Sequence, residues 1–211
     1  YKGLYSSLND RNYYEIAYAL NRQFGPQGIY RGRGLYSFAD NHDVDRVASR
    51  LKDPALLYPL YALLFSMPGI PSIYYGSEWG LAGLRTAHSD AALRPALELA
   101  QAAQHAAQPD LPAALRRLAD VRAGSGALQR GDYREVHVAA QQLAFLRSLP
   151  DEQVLVALNA ADEPVELPLR LPFQNARLID LLNPGAEFRV QNLTAAVTVP
   201  PRWARMMSVS T

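Results

Sequence analysis

Apolar positions Tyr13, Ile16, Ala17, Leu20 and Phe24 recur at helical spacing and predict an amphipathic helix over Tyr13–Phe24. Asn12 with Glu15 three residues on reads as a capping box, and Gly25-Pro26 stops the helix. Tyr1–Arg11, before it, is polar and aromatic and has no usable period. Gly28, Gly32 and Gly34 mark the loop that follows; their spacing is wrong for a phosphate cradle. Leu35–Asp40 is a short apolar run with a polar end and predicts a strand buried on both faces, as in a parallel sheet. A loop through Asn41–Lys52 then leads to Asp53-Pro54, a cap and first-turn proline for a helix bearing Leu56, Leu57, Leu60, Leu63 and Leu64. Met67-Pro68-Gly69 ends that helix, and Ser72–Tyr75 reads as a second strand. Strand, helix, strand in this order predicts a β-α-β unit with parallel strands.

Gly76–Ser89 is a long glycine-rich loop, of a kind that is usually functional. Ala91–Ala107 has helical composition broken at Pro95, and Pro112–Arg122 predicts a shorter helix started by Asp110 and closed at Gly124. After Gly126 the period changes to two. Candidate strands are Tyr133–Ala139, Gln142–Arg147, Val154–Asn159, Val165–Leu169, Arg177–Leu181, Glu187–Gln191, Ala195–Val199 and Arg205–Val209. Turn signals, not helices, separate them, which predicts an antiparallel β-sandwich. The expected division is an α/β part over 1–124 and an all-β domain over 125–211.

Composition changes this picture little. A hydrophobic content of 49% supplies ample core, and a formal net charge of +1 gives no electrostatic reason to expect nucleic acid or an anionic membrane as partner. There is no cysteine, hence no disulfide framework or thiolate metal site. The longest apolar segment, Leu56–Met67, is too short to span a bilayer. The chain opens at Tyr1 in mid-pattern without a methionine, so preceding residues are expected and the compartment is left open.

The candidate chemistry is concentrated just past the first strand, in Asp40, Asn41, His42, Asp43, Asp45 and Arg46. Ends of buried parallel strands are where α/β folds keep their sites. One reading is a polar loop whose Asp and Asn side chains cap local turns. A second is a metal site, but the run lacks the glycine and terminal glutamate of a calcium loop and the spacing of a zinc helix motif. A third is carbohydrate chemistry, in which a carboxylate beside an imidazole binds sugar hydroxyls and stabilises developing positive charge.

Ser37-Phe38-Ala39-Asp40-Asn41-His42-Asp43, with Arg46 three residues on, resembles the Asn-His-Asp segment of the α-amylase family, glycoside hydrolase family 13. Met67-Pro68-Gly69-Ile70-Pro71-Ser72-Ile73-Tyr74-Tyr75-Gly76-Ser77-Glu78 is similar to that family's Pro-Gly-x-Pro-x-x-Tyr-Tyr-Gly-x-Glu segment. The resemblance implies the C-terminal part of a TIM (β/α)8 barrel, with its seventh and eighth strands, followed by the family's antiparallel β-sandwich. It implies that Asp43 is the catalytic carboxylate that stabilises the transition state, and that His42 and Asn41 contact the sugar. Asp90 and Arg94 resemble a pair that holds the next sugar, although Asp and Arg four apart also form solvated salt bridges. Tyr75 and Glu78 are expected to be structural, and Arg46 and Arg85 to lie at the surface. The family's nucleophile and proton donor fall on strands upstream of Tyr1, so this piece alone is expected to be inactive. Its expected partners are an α-glucan or maltooligosaccharide and the missing N-terminal barrel segment, with no cofactor and no metal. The alternative is a non-catalytic module that binds maltodextrin or another protein.

Overall fold

The computed structural model describes residues 1–210. Two helices open the chain, α1 (Lys2–Asn9) and α2 (Tyr13–Phe24). α2 has the predicted span and buries Tyr13, Ile16, Ala17, Leu20 and Phe24. Its capping box does not form: the Asn12 side chain makes no cap bond, and Glu15 Oε1 accepts from Ser6 Oγ at 2.8 Å instead. α1 buries Leu4, Tyr5 and Leu8 in a helix too short to show a period among its serines.

β1 (Tyr36–Phe38) and β2 (Ile70–Ser72) pair in parallel, with Tyr36 opposite Ile70 and Phe38 opposite Ser72. Between them lie α3 (Val47–Arg50), a 3-10 turn at Pro54–Leu56 and α4 (Leu57–Ser66). Asp53 starts this run as predicted, its Oδ1 accepting the Ala55 N–H at 2.9 Å ahead of Pro54. β2 lies earlier than expected, because the Ile70 N–H already donates to Leu35 O at 2.7 Å, before Pro71 removes a donor. Burial on both faces does not hold either. Tyr36 is 64% and Ile70 59% exposed, since among the described residues the sheet has two strands and both are edges.

The predicted helix over Ala91–Ala107 is replaced by a 3-10 turn at Ala91–Leu93 and a short α5 (Leu99–Gln104). Pro95 drives Arg94 out of helical geometry, and α5 buries no side chain that would hold it longer. α6 (Leu111–Ala123) follows as expected, then an unpredicted α7 (Gly126–Arg130). α7 is fixed at its start by Ser125 Oγ accepting the Leu128 N–H at 3.1 Å and by Glu152 Oε2 accepting the Ala127 N–H at 2.9 Å.

All the predicted late strands are present: β3 (Asp132–Val138), β4 (Gln142–Ser148), β5 (Gln153–Asn159), β6 (Val165–Arg170), β7 (Asn175–Asp180), β8 (Glu187–Gln191), β9 (Thr194–Val199) and β10 (Trp203–Ser210). They form one antiparallel sheet in the order β3-β4-β5-β10-β7-β8-β9-β6. The sandwich is therefore a single sheet bent over itself. Leu146, Leu155, Ala157 and Met207 of one half meet Leu167, Leu169, Val190, Val197 and Val199 of the other. The alternate residues of the first half, Phe145, Val154, Val156, Leu158 and Met206, face outward into a second core shared with α1, α2, α4 and α6.

Two buried arginines hold the end of α4, Arg122 from α6 and Arg147 from β4 of the sheet. Arg122 Nη1 donates to Phe65 O at 2.7 Å, and Arg147 Nη1 donates to Ser66 O at 2.6 Å. Carbonyls of the last helical turn have no partner within the helix, and the negative end of the helix dipole favours a cation there. Burial pushes both guanidinium groups below their ordinary value, Arg147 further because it is the more deeply buried and Arg122 lies close.

Candidate functional site

The chain leaves β1 at its carboxyl end through Asp40, which is buried. Both Asp40 carboxylate oxygens accept from Ser77 Oγ at 2.9 Å, and Oδ2 also accepts the Val47 N–H at 2.9 Å. Burial raises the Asp40 carboxyl above the ordinary range, opposed by the hydrogen bonds from Val47 and Ser77 and by the charge of Arg46. Ser77 follows β2, so this buried contact fastens the ends of the two parallel strands together.

Arg46 is the second fastening, and it is a correction to the surface placement expected for it. The side chain is 0% exposed. Its Nη1 donates to Tyr75 O at 2.5 Å and to Ser77 Oγ at 3.2 Å, and its Nη2 donates to Leu93 O at 2.8 Å. The guanidinium carbon also lies 4.2 Å from the centroid of the Tyr74 ring. One planar fork thus links the loop after β1, the end of β2 and the turn before Arg94, a task an ammonium cannot perform. Tyr75 is placed structurally, its hydroxyl donating to Pro95 O at 3.0 Å.

On this buried base stands an exposed cluster. His42 Nε2 sits 3.1 Å from Asp43 Oδ2, and Arg94 Nη2 sits 3.5 Å from Asp43 Oδ1 and 2.6 Å from Asp90 Oδ2. Arg94 Nε also donates to His42 O at 3.2 Å. Asn41 accepts the Asp43 N–H on its Oδ1 at 2.8 Å, so its side chain caps the loop, as the bland reading of these residues expects. Arg85 braces the loop from the other side, its Nη2 donating to Asp43 O at 2.5 Å and its N–H to Asp45 Oδ1 at 2.8 Å.

The structure thus brings His42, Asp43, Asp90 and Arg94 together from two separate segments, both beyond the carboxyl ends of the parallel strands. The Asp43 side chain is 62% exposed and is held by one cation and one imidazole. That leaves a carboxylate oriented by its neighbours and still open to a polar ligand. Among the described residues, no three His, Cys, Asp or Glu side chains converge as a metal site would require. Sequence reasoning singled out Arg46 but missed its burial, because a buried arginine paired with carbonyls leaves no partner residue in the sequence to signal it.

Comparison with known proteins finds relatives for both parts of the chain. The α-amylase catalytic domain family matches residues 18–115, and the maltogenic amylase C-terminal domain family matches residues 133–205. Neopullulanase 2 of Thermoactinomyces vulgaris is 31% identical over 144 residues, covering 66% of this chain and 23% of that protein. Cyclomaltodextrinase of Geobacillus thermopakistaniensis is 26% identical over 172 residues, covering 79% of this chain and 27% of that protein. The chain therefore spans about a quarter of the length of these curated relatives. The acarbose complex of α-amylase from Geobacillus thermoleovorans superposes over 99% of this chain and 47% of its own, with a TM-score of 0.76 and 21% identity. An Anoxybacillus α-amylase covers all of this chain at a TM-score of 0.76 and 22% identity, with 45% of its own length matched. The chain belongs to the α-amylase family of glycoside hydrolases, and carries part of the catalytic region together with a maltogenic-amylase-type C-terminal domain.

Proposed function

We propose that residues 1–124 are the C-terminal part of a (β/α)8 catalytic barrel, contributing its seventh and eighth strands, and that residues 125–211 are its C-terminal β-sandwich. The intact protein is then a retaining glycosidase acting on α-glucosidic bonds of starch-derived oligosaccharides. The observation that carries this reading is the convergence of His42, Asp43, Asp90 and Arg94 past the carboxyl ends of β1 and β2. Names of the relatives, cyclomaltodextrinase and neopullulanase among them, support α-glucans as the substrate class.

In this reading Asp43 is the catalytic carboxylate that binds the hydroxyls of the cleaved sugar and favours its oxocarbenium-like state. His42 hydrogen-bonds the same sugar, Asn41 holds the loop and its sugar contact, and Asp90 with Arg94 holds the adjoining unit. A retaining mechanism also needs a nucleophile and a proton donor about 5 Å apart across the scissile bond. We assign both to segments of the intact protein outside this chain, so the 211 residues alone are inactive.

The test is Asp43→Asn in the intact protein. Turnover on a maltooligosaccharide should fall about a hundred- to a thousandfold. The unfolding midpoint should stay close to wild type, because Asp43 is exposed and its charge pairs are of the weak surface kind. Turnover near wild type would sink the role given to Asp43. Undiminished maltodextrin binding by a protein that has no hydrolysis to lose would favour the binding module instead.

A further inference from the structure

At the opposite end of the parallel strands lies a cavity of about 90 Å³, walled by the Arg31–Gly34 loop before β1, by Pro68 and Gly69 before β2, and by Gln129–Tyr133 and Arg147 of the sheet domain. That volume equals roughly three liquid waters, enough for a small polyatomic ion. Its charge is one-sided. Arg31, Arg33, Arg130 and Arg147 line it, against the single carboxylate of Asp132. Asp132 is already taken up by Arg31, with Nη2 at 2.6 Å and Nε at 3.1 Å.

The other cations form no ion pair, although the charge of Asp132 also acts on Arg147. Arg147 is 1% exposed and spends its donors on the carbonyls of Ser66, Leu128 and Gly131, none of which carries a charge. Arg122 lies close behind it and is likewise bound only to carbonyls. Among the described residues Arg33 and Arg130 make neither a side-chain hydrogen bond nor an ion pair. A buried charge without a paired counter-ion is costly; of the cavity's arginines Arg147 is buried, while Arg33 and Arg130 are exposed and free to close on an anion. An independent observation points the same way: Tyr133 lines this cavity, is 2% exposed, and its buried hydroxyl has no hydrogen-bond partner. The Tyr13 and Tyr61 hydroxyls are also buried without a partner, and what singles out Tyr133 is that it alone of the three lines this cavity.

We infer that this cavity is a binding site for a small oxyanion of the phosphate type, held by Arg33 and Arg130 with the Tyr133 hydroxyl as a further donor. Because its walls come from both the strand loops and the sheet domain, the bound ion links the two. Arg147 supplies fixed positive potential behind the ion. Nothing in this inference depends on the glycosidase reading, as the site is at the far end of the strands from Asp43.

Calorimetric titration of the intact protein with inorganic phosphate, at neutral pH and constant ionic strength, tests it. Wild type should bind one phosphate saturably. Arg33→Gln combined with Arg130→Gln, both exposed positions, should weaken that binding about tenfold or more, the effect expected for losing charged hydrogen bonds. Tyr133→Phe should weaken it several-fold while leaving the ligand-free unfolding midpoint unchanged or higher, since it removes only an unpaired hydroxyl. Absence of saturable binding to wild type would overturn the inference. So would binding that the double variant and Tyr133→Phe retain undiminished, which would place the phosphate elsewhere.

Discussion

Arg46 and Asp40 are both buried under an exposed cluster, yet they do not form an ion pair; Asp40 is satisfied by Ser77 and Val47, and Arg46 bonds other groups through Nη1 and Nη2 while its Nε has no partner. Arg46 serves two carbonyls from different loops, so replacing it leaves acceptors unpaired in the interior. Arg46→Lys should lower stability by about 2–3 kcal/mol, because an ammonium reaches one carbonyl and abandons the other. A urea midpoint equal to wild type would refute this. Asp40 makes a prediction in pH. Its folded-state pKa is raised by burial, so the folded state holds the proton more tightly than the unfolded chain. The resulting stabilisation is fully present below the unfolded value of about 3.9 and is lost as pH rises through the folded pKa. Relative to Asp40→Asn, wild type should therefore become progressively less stable from about pH 4 upward, read as the difference between urea midpoints along a pH series. Asp53 carries the opposite sign. The Arg202 hydrogen bond, followed by that of the Ala55 N–H, depresses its pKa, so its contribution is present above the unfolded value and lost on acidification.

At the scale of elements, what could be read from the sequence divides by how local its cause is. α2, the Asp53-Pro54 start and the strands from β3 to β10 rest on period and turn residues that lie within each segment, and they were legible with boundaries shifted by a residue or two. α7 was not, because one of its cap groups comes from Glu152, on the far side of β4. The helix expected over Ala91–Ala107 failed for the complementary reason: its composition favours helix, but Pro95 breaks it after the buried Leu93 and no tertiary contact buries a side chain of Leu99–Gln104. The candidate site followed the same division. His42 and Asp43 were expected from one motif, and Asp90 with Arg94 from resemblance to a pair in the family, while the Arg46 fork beneath them spans three segments. The cap of α7 gives a direct test at this scale. Ser125→Ala should cost about 1 kcal/mol in chemical denaturation, with Ser125→Thr recovering most of it. Equal losses in both variants would mean that the hydroxyl's bonds to Leu128 and Glu152 do not hold the helix.

For the whole molecule, the decisive feature is that one half of the bent sheet has two buried faces. Leu155 and Ala157 of β5 point into the closed core of the sandwich, whereas Val154, Val156 and Leu158 of the same strand point into the core that α2 and α4 share. The helices of the catalytic portion are therefore completed by the sheet, and the sheet is completed by the helices. Two units that share a core in this way unfold together. Phe145, fully buried on the shared side with its ring centroid 5.1 Å from that of Tyr133, is the place to test it. Phe145→Ala should cost about 3–5 kcal/mol. Val197→Ala, buried in the closed core, cuts away less side chain and should cost less. With Phe145→Ala, near-ultraviolet absorbance of the tyrosines in α2 and α4 should change at the same denaturant concentration as the far-ultraviolet signal of the sheet. The alternative is an autonomous sandwich, in which Phe145→Ala would unfold the sheet first and leave the helices standing at higher denaturant. Two separated transitions would show that the contact is an interface between independent domains; one coincident transition would show that the C-terminal sheet is a structural part of the catalytic portion it packs against.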